Sequence, residues 1–203
     1  MTKTVAAASM GVLALQGDVR EHIGVLTALG AEAVPVRTVS DLARVEGLVI
    51  PGGESSVIDK LSHTFGLREP IRAAIGAGMP VYGTCAGLIL LAEEIVDAAP
   101  GQESFGGLDI AVRRNAFGRQ AESFETALAV RALGDPAVTA MFIRAPVVER
   151  VGPQATVLAA LPGGEVVAVE QGSVLGTSFH PEMTGELRFH ARLLDRVRAR
   201  RAG

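Results

Sequence analysis

The only cysteine in the chain, Cys85, stands between Gly83 and Gly87 in "VYGTCAGLIL", residues 81–90. The stretch starts as an apolar strand and ends as a helix, so the thiol falls on the corner between them. G-x-C-x-G is the cysteine form of the G-x-S-x-G nucleophile elbow: glycines permit a tight strand-to-helix turn, and the side chain is lifted out of the sheet. A thiol there also meets the positive end of the helix that follows, which favours the thiolate. Taken alone, the corner suits a buried structural cysteine as well as a nucleophile.

A nucleophile needs a base, and the base needs a group to orient it. "TSFHPE", residues 177–182, supplies both types. "SVLGTSF" reads as a strand, which puts His180 at a second strand end. Glu182 follows two residues later, on the same side by the period of extended chain, and Pro181 restrains the backbone between them. A carboxylate so placed holds an imidazole in one tautomer. Standing alone, H-x-E would equally be a loop histidine with a solvated glutamate. His22, His63 and His190 fall in helical patterns and read as ordinary surface or interface residues. No pair has ligand spacing that argues for zinc. Acyl transfer further requires donors for a developing oxyanion. The amide of Ala86, next to the thiol, is one candidate. The amide of Gly53 in "PGGES", residues 51–55, is another. A Gly-Gly turn entering a helix also suits a phosphate, but the spacing and lysine of a P-loop are missing and no G-x-G-x-x-G is present.

The elements that must carry these residues alternate between strand and helix. Strands are expected at 10–15, 32–37, 47–53 and 80–84, and helices at 18–30, 55–67, 69–78 and 86–96. Asp18 is expected to cap the first helix, with Glu21 at the capping-box position and Gly30 as its stop. This alternation predicts a single doubly wound α/β domain: a mostly parallel central sheet flanked by helices, in a flavodoxin-like three-layer arrangement. Strand patterns dominate the second half ("LDIAVRR", "TALAVRAL", "VTAMFIRAP", "TVLAAL", "EVVAVEQG", "SVLGTSFHPE"), and a final amphipathic helix closes the chain. "DAAPGQESFGG", residues 97–107, reads as a loop within the domain rather than a boundary. In such sheets function gathers beyond the C-terminal strand ends, where Cys85 and His180 are both expected.

Composition narrows the function classes. The 203 residues are 48% hydrophobic with a formal net charge of -3, as expected for a globular chain and not for a nucleic-acid surface or a polybasic membrane patch. The basic end, "RVRARRAG", continues a helical pattern, where cations suit the C-terminus. A lone cysteine excludes an internal disulfide framework and a CxxC metal site. No apolar run has the ~18 residues of a membrane span, and a cytoplasmic location is expected. "MTKTVAAASMGVLAL" reads as an extension followed by a first strand rather than as a signal peptide.

With these pieces assembled, the sequence resembles the class I (triad) glutamine amidotransferases, and within them the glutaminase subunits of pyridoxal 5'-phosphate synthase. The elbow and H-P-E mark the wider family. "LALQGDVREH", "LVIPGGESSV" and "RRNAFGRQAESFE" extend the likeness, and "LQGDVREH" and "RNAFGRQ" point to the vitamin B6 branch. The likeness runs from about Gly11 to the last helix, with residues 1–9 as an N-terminal extension. It implies a Cys85–His180–Glu182 triad, and L-glutamine held by Gly53, Glu54, Ser55, Arg114, Ile143 and Arg144. It implies an oxyanion hole from Gly53 and Ala86, completed by a partner-gated loop at Gln16 and Gly17. It also implies a barrel-shaped synthase subunit that receives the ammonia, and no cofactor or metal on this chain. The glutaminase of imidazole glycerol phosphate synthase shares the elbow and triad, but "LQGDVREH" and "RNAFGRQ" argue against it. A non-catalytic cysteine redox sensor or chaperone on a similar sheet has no need of "HPE" or "PGGES". An esterase on an α/β-hydrolase scaffold expects a longer chain.

Overall fold

The computed structural model describes residues 6–114 and 123–202. In chain order the elements are β1 (Ser9–Leu13), α1 (Val19–Ala28), β2 (Glu32–Val36), α2 (Val39–Leu42), β3 (Gly47–Ile50), α3 (Ser55–Thr64), α4 (Arg68–Gly76), β4 (Val81–Thr84), α5 (Ala86–Leu91) and β5 (Ala92–Val96). There follow β6 (Leu108–Arg113), β7 (Ser123–Leu128), β8 (Val138–Ile143), β9 (Val147–Val151), β10 (Thr156–Ala160), β11 (Val166–Gln171), β12 (Val174–Thr177), α6 (Pro181–Thr184) and α7 (Arg188–Ala202). Of the "RRNAFGRQAESFE" segment, residues 115–122 lie outside the described residues.

The main sheet runs β2-β1-β3-β4-β12-β11-β9-β6-β5, with β10 on β11. Its left half, β2 to β12, is parallel throughout, and antiparallel pairs join β12, β11, β9 and β6. β7 and β8 form a separate antiparallel pair. Every residue of β3, β4 and β12 is buried, as expected for parallel strands covered on both faces. Side chains alternate between two cores. Leu48, Ile50 and Val81 join α3, α4 and α5 on one face through Ile58, Ile71 and Leu88. Val49 and Tyr82 join α1 and α7 on the other through Leu26, Phe189, Leu193 and Val197. The molecule is thus the three-layer α/β domain expected from the alternation, with a mostly parallel centre.

Several local details differ from the sequence reading. The helix expected over 86–96 ends at Leu91, and Ala92 turns extended to start β5. "AEEIV" favours a helix by intrinsic propensity, but ladder pairing with β6 prevails over that weak preference. Asp18 makes no side-chain cap on α1; its carboxylate is directed elsewhere, as described below. The capping box occurs instead on the short α2, between Thr38 and Asp41. β9 and α2 had no expected counterpart. β1 begins at Ser9, one residue inside the stretch read as an extension, and Ala8 just before it is buried.

The close packing of α5 on the sheet depends on Gly87. A Cβ there would lie 2.1 Å from the backbone oxygen of Ile50, so a methyl group forces the helix away from β3. We expect Gly87→Ala to lower stability by about 1–3 kcal/mol through overpacking. Gly24→Ala on the exposed side of α1, where nothing lies within 4 Å, should instead stabilise by about 0.5–1 kcal/mol. Denaturant unfolding of the two variants checks this, and equal midpoints would contradict it.

Candidate active site

Four adjacent parallel strands, β1, β3, β4 and β12, deliver their C-terminal ends to one edge. Beyond them lie Gln16–Gly17–Asp18, Gly52–Gly53, Cys85 and His180 in turn. Thr84 of β4 pairs with Thr177 of β12, and the Cys85 amide donates to the Thr177 carbonyl at 2.8 Å. The chain then turns sharply. Cys85 has φ 48 and ψ -101, a conformation that costs a non-glycine residue energy and clusters at functional sites. This is the strained elbow expected from G-x-C-x-G.

His180 follows β12, and its amide donates to the Met141 carbonyl of β8 at 2.9 Å. Pro181 opens α6 and returns Glu182 toward the ring. His180 Nδ1 lies 2.8 Å from Glu182 Oε1. That bond assigns a proton to Nδ1, and the Cys85 side chain also acts on the ring. Both His180 and Glu182 are buried. Asp18 places Oδ2 3.5 Å from the same Nδ1, which is where its carboxylate goes instead of capping α1. Burial by itself would push the His180 imidazole down, but Asp18, Cys85 and Glu182 together raise it to about 12. Burial pushes the Glu182 carboxyl up, against the pull of the His180 ring. The arrangement favours a protonated His180 ring beside Glu182.

Gln16, Asp18, Gly53, Glu54, Cys85, Ile143, Arg144 and His180 line a cavity of about 280 Å³. Most of the residues named from the sequence therefore meet in one place. Gly17 has φ 105, and a Cβ on it would lie 1.8 Å from the Gly52 carbonyl oxygen. Only glycine allows this approach. Gln16 Oε1 accepts from the Glu54 amide at 2.7 Å, so the two loops are laced together beside the thiol. Ala86 opens α5, where amides have no partner within the helix. Arg144 holds a positive φ of 43.

Ser55 and Arg114 stand behind the cavity wall rather than on it. Arg114 donates to Glu54 Oε1 at 2.8 Å and to Gln102 Oε1 at 2.9 Å, and Gln102 donates to Ser55 Oγ at 3.0 Å. Arg113 turns the other way, to Glu149 and Asp97. Gln102, from the loop after β5, had no signal in the sequence. The same holds for Asp18 as a neighbour of His180. His22 and His190, expected as ordinary surface or interface residues, are fully buried behind Glu182; amphipathic spacing does not distinguish a buried imidazole from an exposed one. His63 is the exposed histidine, 3.4 Å from both Asp59 and Glu103. Among the described residues the one grouping with metal-ligand reach is Asp18, His180 and Glu182. These groups are already engaged around the His180 ring.

The fold is that of glutamine amidotransferases. A crystal structure of a glutamine amidotransferase superposes with a TM-score of 0.87 at 48% identity, over 93% of this chain and 98% of that one. PurLQS from Thermotoga maritima shares the fold at 16% identity, with a TM-score of 0.63 over 94% of this chain and 99% of that one. Residues 12–199 match the SNO glutamine amidotransferase family, and the chain belongs to that family. Among its relatives, the pyridoxal 5'-phosphate synthase subunit PdxT of Leifsonia xyli is 65% identical over 94% of this chain and 96% of its own length. The protein of the same name from Streptomyces avermitilis is 59% identical over 95% of each chain.

Glu182 supports the raised His180 directly, so its charge has a measurable signature. Glu182→Gln should lower the His180 pKa, because the imidazolium loses an adjacent anion. Its protonated form is then lost at lower pH, bringing an alkaline limb into the measurable range of kcat/KM. The turnover should also fall by about 10²–10⁴. A pH–rate profile identical to that of the unmodified protein would exclude an orienting role.

Proposed function

We propose that this chain is a glutaminase that hydrolyses L-glutamine to L-glutamate and ammonia and supplies the ammonia to pyridoxal 5'-phosphate synthase. The observation that supports the reading is that Cys85 and His180, beyond the adjacent strands β4 and β12, line one small cavity, with Glu182 Oε1 2.8 Å from His180 Nδ1. Identity of 65% to a subunit of that synthase supports the pathway.

In the proposed reaction Cys85 attacks the side-chain carboxamide carbon of glutamine as a thiolate. The Gly53 and Ala86 amides stabilise the oxyanion, a contribution of about 10²–10³ in rate for a single donor. His180 gives its proton to the leaving nitrogen, and ammonia departs as the thioester forms. Part of what raises His180 is Cys85 itself, so consuming the thiolate makes the ring a better acid when the proton must leave. His180, now neutral, takes a proton from water. The resulting hydroxide cleaves the thioester, which releases glutamate and restores the ion pair.

Glu54 offers a carboxylate to the substrate ammonium, Arg144 offers positive charge to its carboxylate, and Arg114 acts from behind the wall, where it holds Glu54. Gly53 and Ile143 shape the remaining wall, and Ser55 supports it from behind through Gln102. Ammonia is useful only where an acceptor is docked. We therefore assign the partner as a synthase subunit, barrel-shaped as the family resemblance implies, and Gln16–Gly17 as the peptide whose orientation docking selects. No helix among the described residues is long and apolar enough to cross a membrane, and a reducing cytoplasm suits a lone catalytic thiol.

Cys85→Ala should abolish glutamate release with the fold intact, and the glutamine analogue diazo-oxo-norleucine should label Cys85 alone in the unmodified chain. Retained turnover in Cys85→Ala would overturn the reading. Glutamate release should also rise when the cognate synthase subunit is added to the purified chain. Equal rates alone and in complex would remove the gating role from Gln16–Gly17.

A further inference from the structure

A buried set of polar groups lies behind Glu182, away from the cavity. His22 of α1 and His190 of α7 are both 0% exposed. His22 Nδ1 lies 2.8 Å from His190 Nε2. On its other side, His22 Nε2 lies 3.2 Å from Thr84 Oγ1 and 3.5 Å from Glu182 Oε1. Among the described residues, Glu182 Oε2 and His190 Nδ1 have no hydrogen-bond partner. Besides His22, the ionisable groups that act on Glu182 include His180, Asp18 and Tyr82. Tyr82, from β4, stands edge-on to the His190 ring and donates or accepts at Thr177.

Burial holds His22 well below the usual histidine range, and His190 down to about 4. Each ring is therefore neutral near pH 7 and carries one proton. Two arrangements satisfy their mutual bond. If His22 held its proton on Nδ1, its bare Nε2 lone pair would face the Glu182 carboxylate across 3.5 Å. Two electron-rich atoms apposed in a dry site are unfavourable. In the other arrangement His190 Nε2–H donates to His22 Nδ1. The single His22 proton then sits on Nε2, directed between Thr84 Oγ1 and Glu182 Oε1. Only this second arrangement gives the buried carboxylate a second favourable neighbour. The 3.5 Å separation exceeds an ordinary hydrogen bond, so the contribution is that of an oriented N–H dipole.

We propose that His22 is a positioning residue for the triad: its Nε2–H, fixed in that tautomer by His190, steadies the Glu182 carboxylate that orients His180. The proposal rests on the glutaminase reading of the site. It adds a function for two histidines that do not reach the cavity. His22 lies one turn along α1 from Asp18, whose carbonyl accepts the His22 amide at 3.4 Å. One turn of helix thus carries both of the outer groups near the His180–Glu182 pair.

Two substitutions of similar size separate the donor from the packing. In His22→Gln the amide nitrogen reaches the Nε2 position; in His22→Asn it reaches only the Nδ1 position. With the cognate synthase subunit present, His22→Asn should lose about tenfold or more in kcat with KM within about twofold, whereas His22→Gln keeps most of the turnover. Equal losses in both, or no loss in His22→Asn, would overturn the proposal. Nitrogen-15 NMR of the unmodified chain should show His22 and His190 both protonated on Nε2 and bare on Nδ1. A His22 protonated on Nδ1 would overturn it as well. The spectrum requires neither turnover nor a variant that folds. A chain with the expected tautomers but no glutamine hydrolysis would refute the enzymatic reading and leave the hydrogen-bond assignment intact.

Discussion

The parallel pairing of β4 with β12 is the constraint on which the site depends. It aligns Thr84 with Thr177 and ties the Cys85 amide to the Thr177 carbonyl. A slip of one residue would send the side chains of one strand to the opposite face. The thiol and the imidazole would then no longer emerge on the same edge. All four residues of each strand are buried, so the hydrophobic cores on both faces resist such a slip. The register that positions the chemistry is thus held by apolar burial some distance from it.

Around that pair, strain and polarity are placed where apolar packing can sustain them. Cys85 adopts its unfavourable backbone because α5 is pressed on β3 at Gly87 and the preceding strand cannot shift. The His180–Glu182 pair is costly to bury. It is compensated by direct contact, by Asp18 on the solvent side and by neutral imidazoles on the inner side. The proposed glutamine-binding side rests on a separate network, Glu54–Arg114–Gln102–Ser55, which ties the start of α3 to the segments that flank β6. The groups proposed for catalysis and those proposed for recognition therefore rest on different supports and meet at the cavity.

The chain alone determined the elbow, the H-P-E turn, the glycine loops and the alternating elements, because each is a local pattern with a local physical cause. A glycine needed for close approach, a proline restraining two polar side chains and a period-two apolar run all leave marks within a few residues. Tertiary structure decided what depends on distant partners. β5 formed in place of a helix end because β6 was available to pair with it. Asp18 left the helix cap for His180, and Gln102 reached Ser55, 47 positions earlier. The two histidines on α1 and α7 are 168 positions apart, and each looks like an ordinary helical residue in its own neighbourhood. Only packing the two helices on the same face of the sheet removes both rings from water and brings one of them behind Glu182. Burial and long-range contact belong to the whole fold, so no short window of sequence records them.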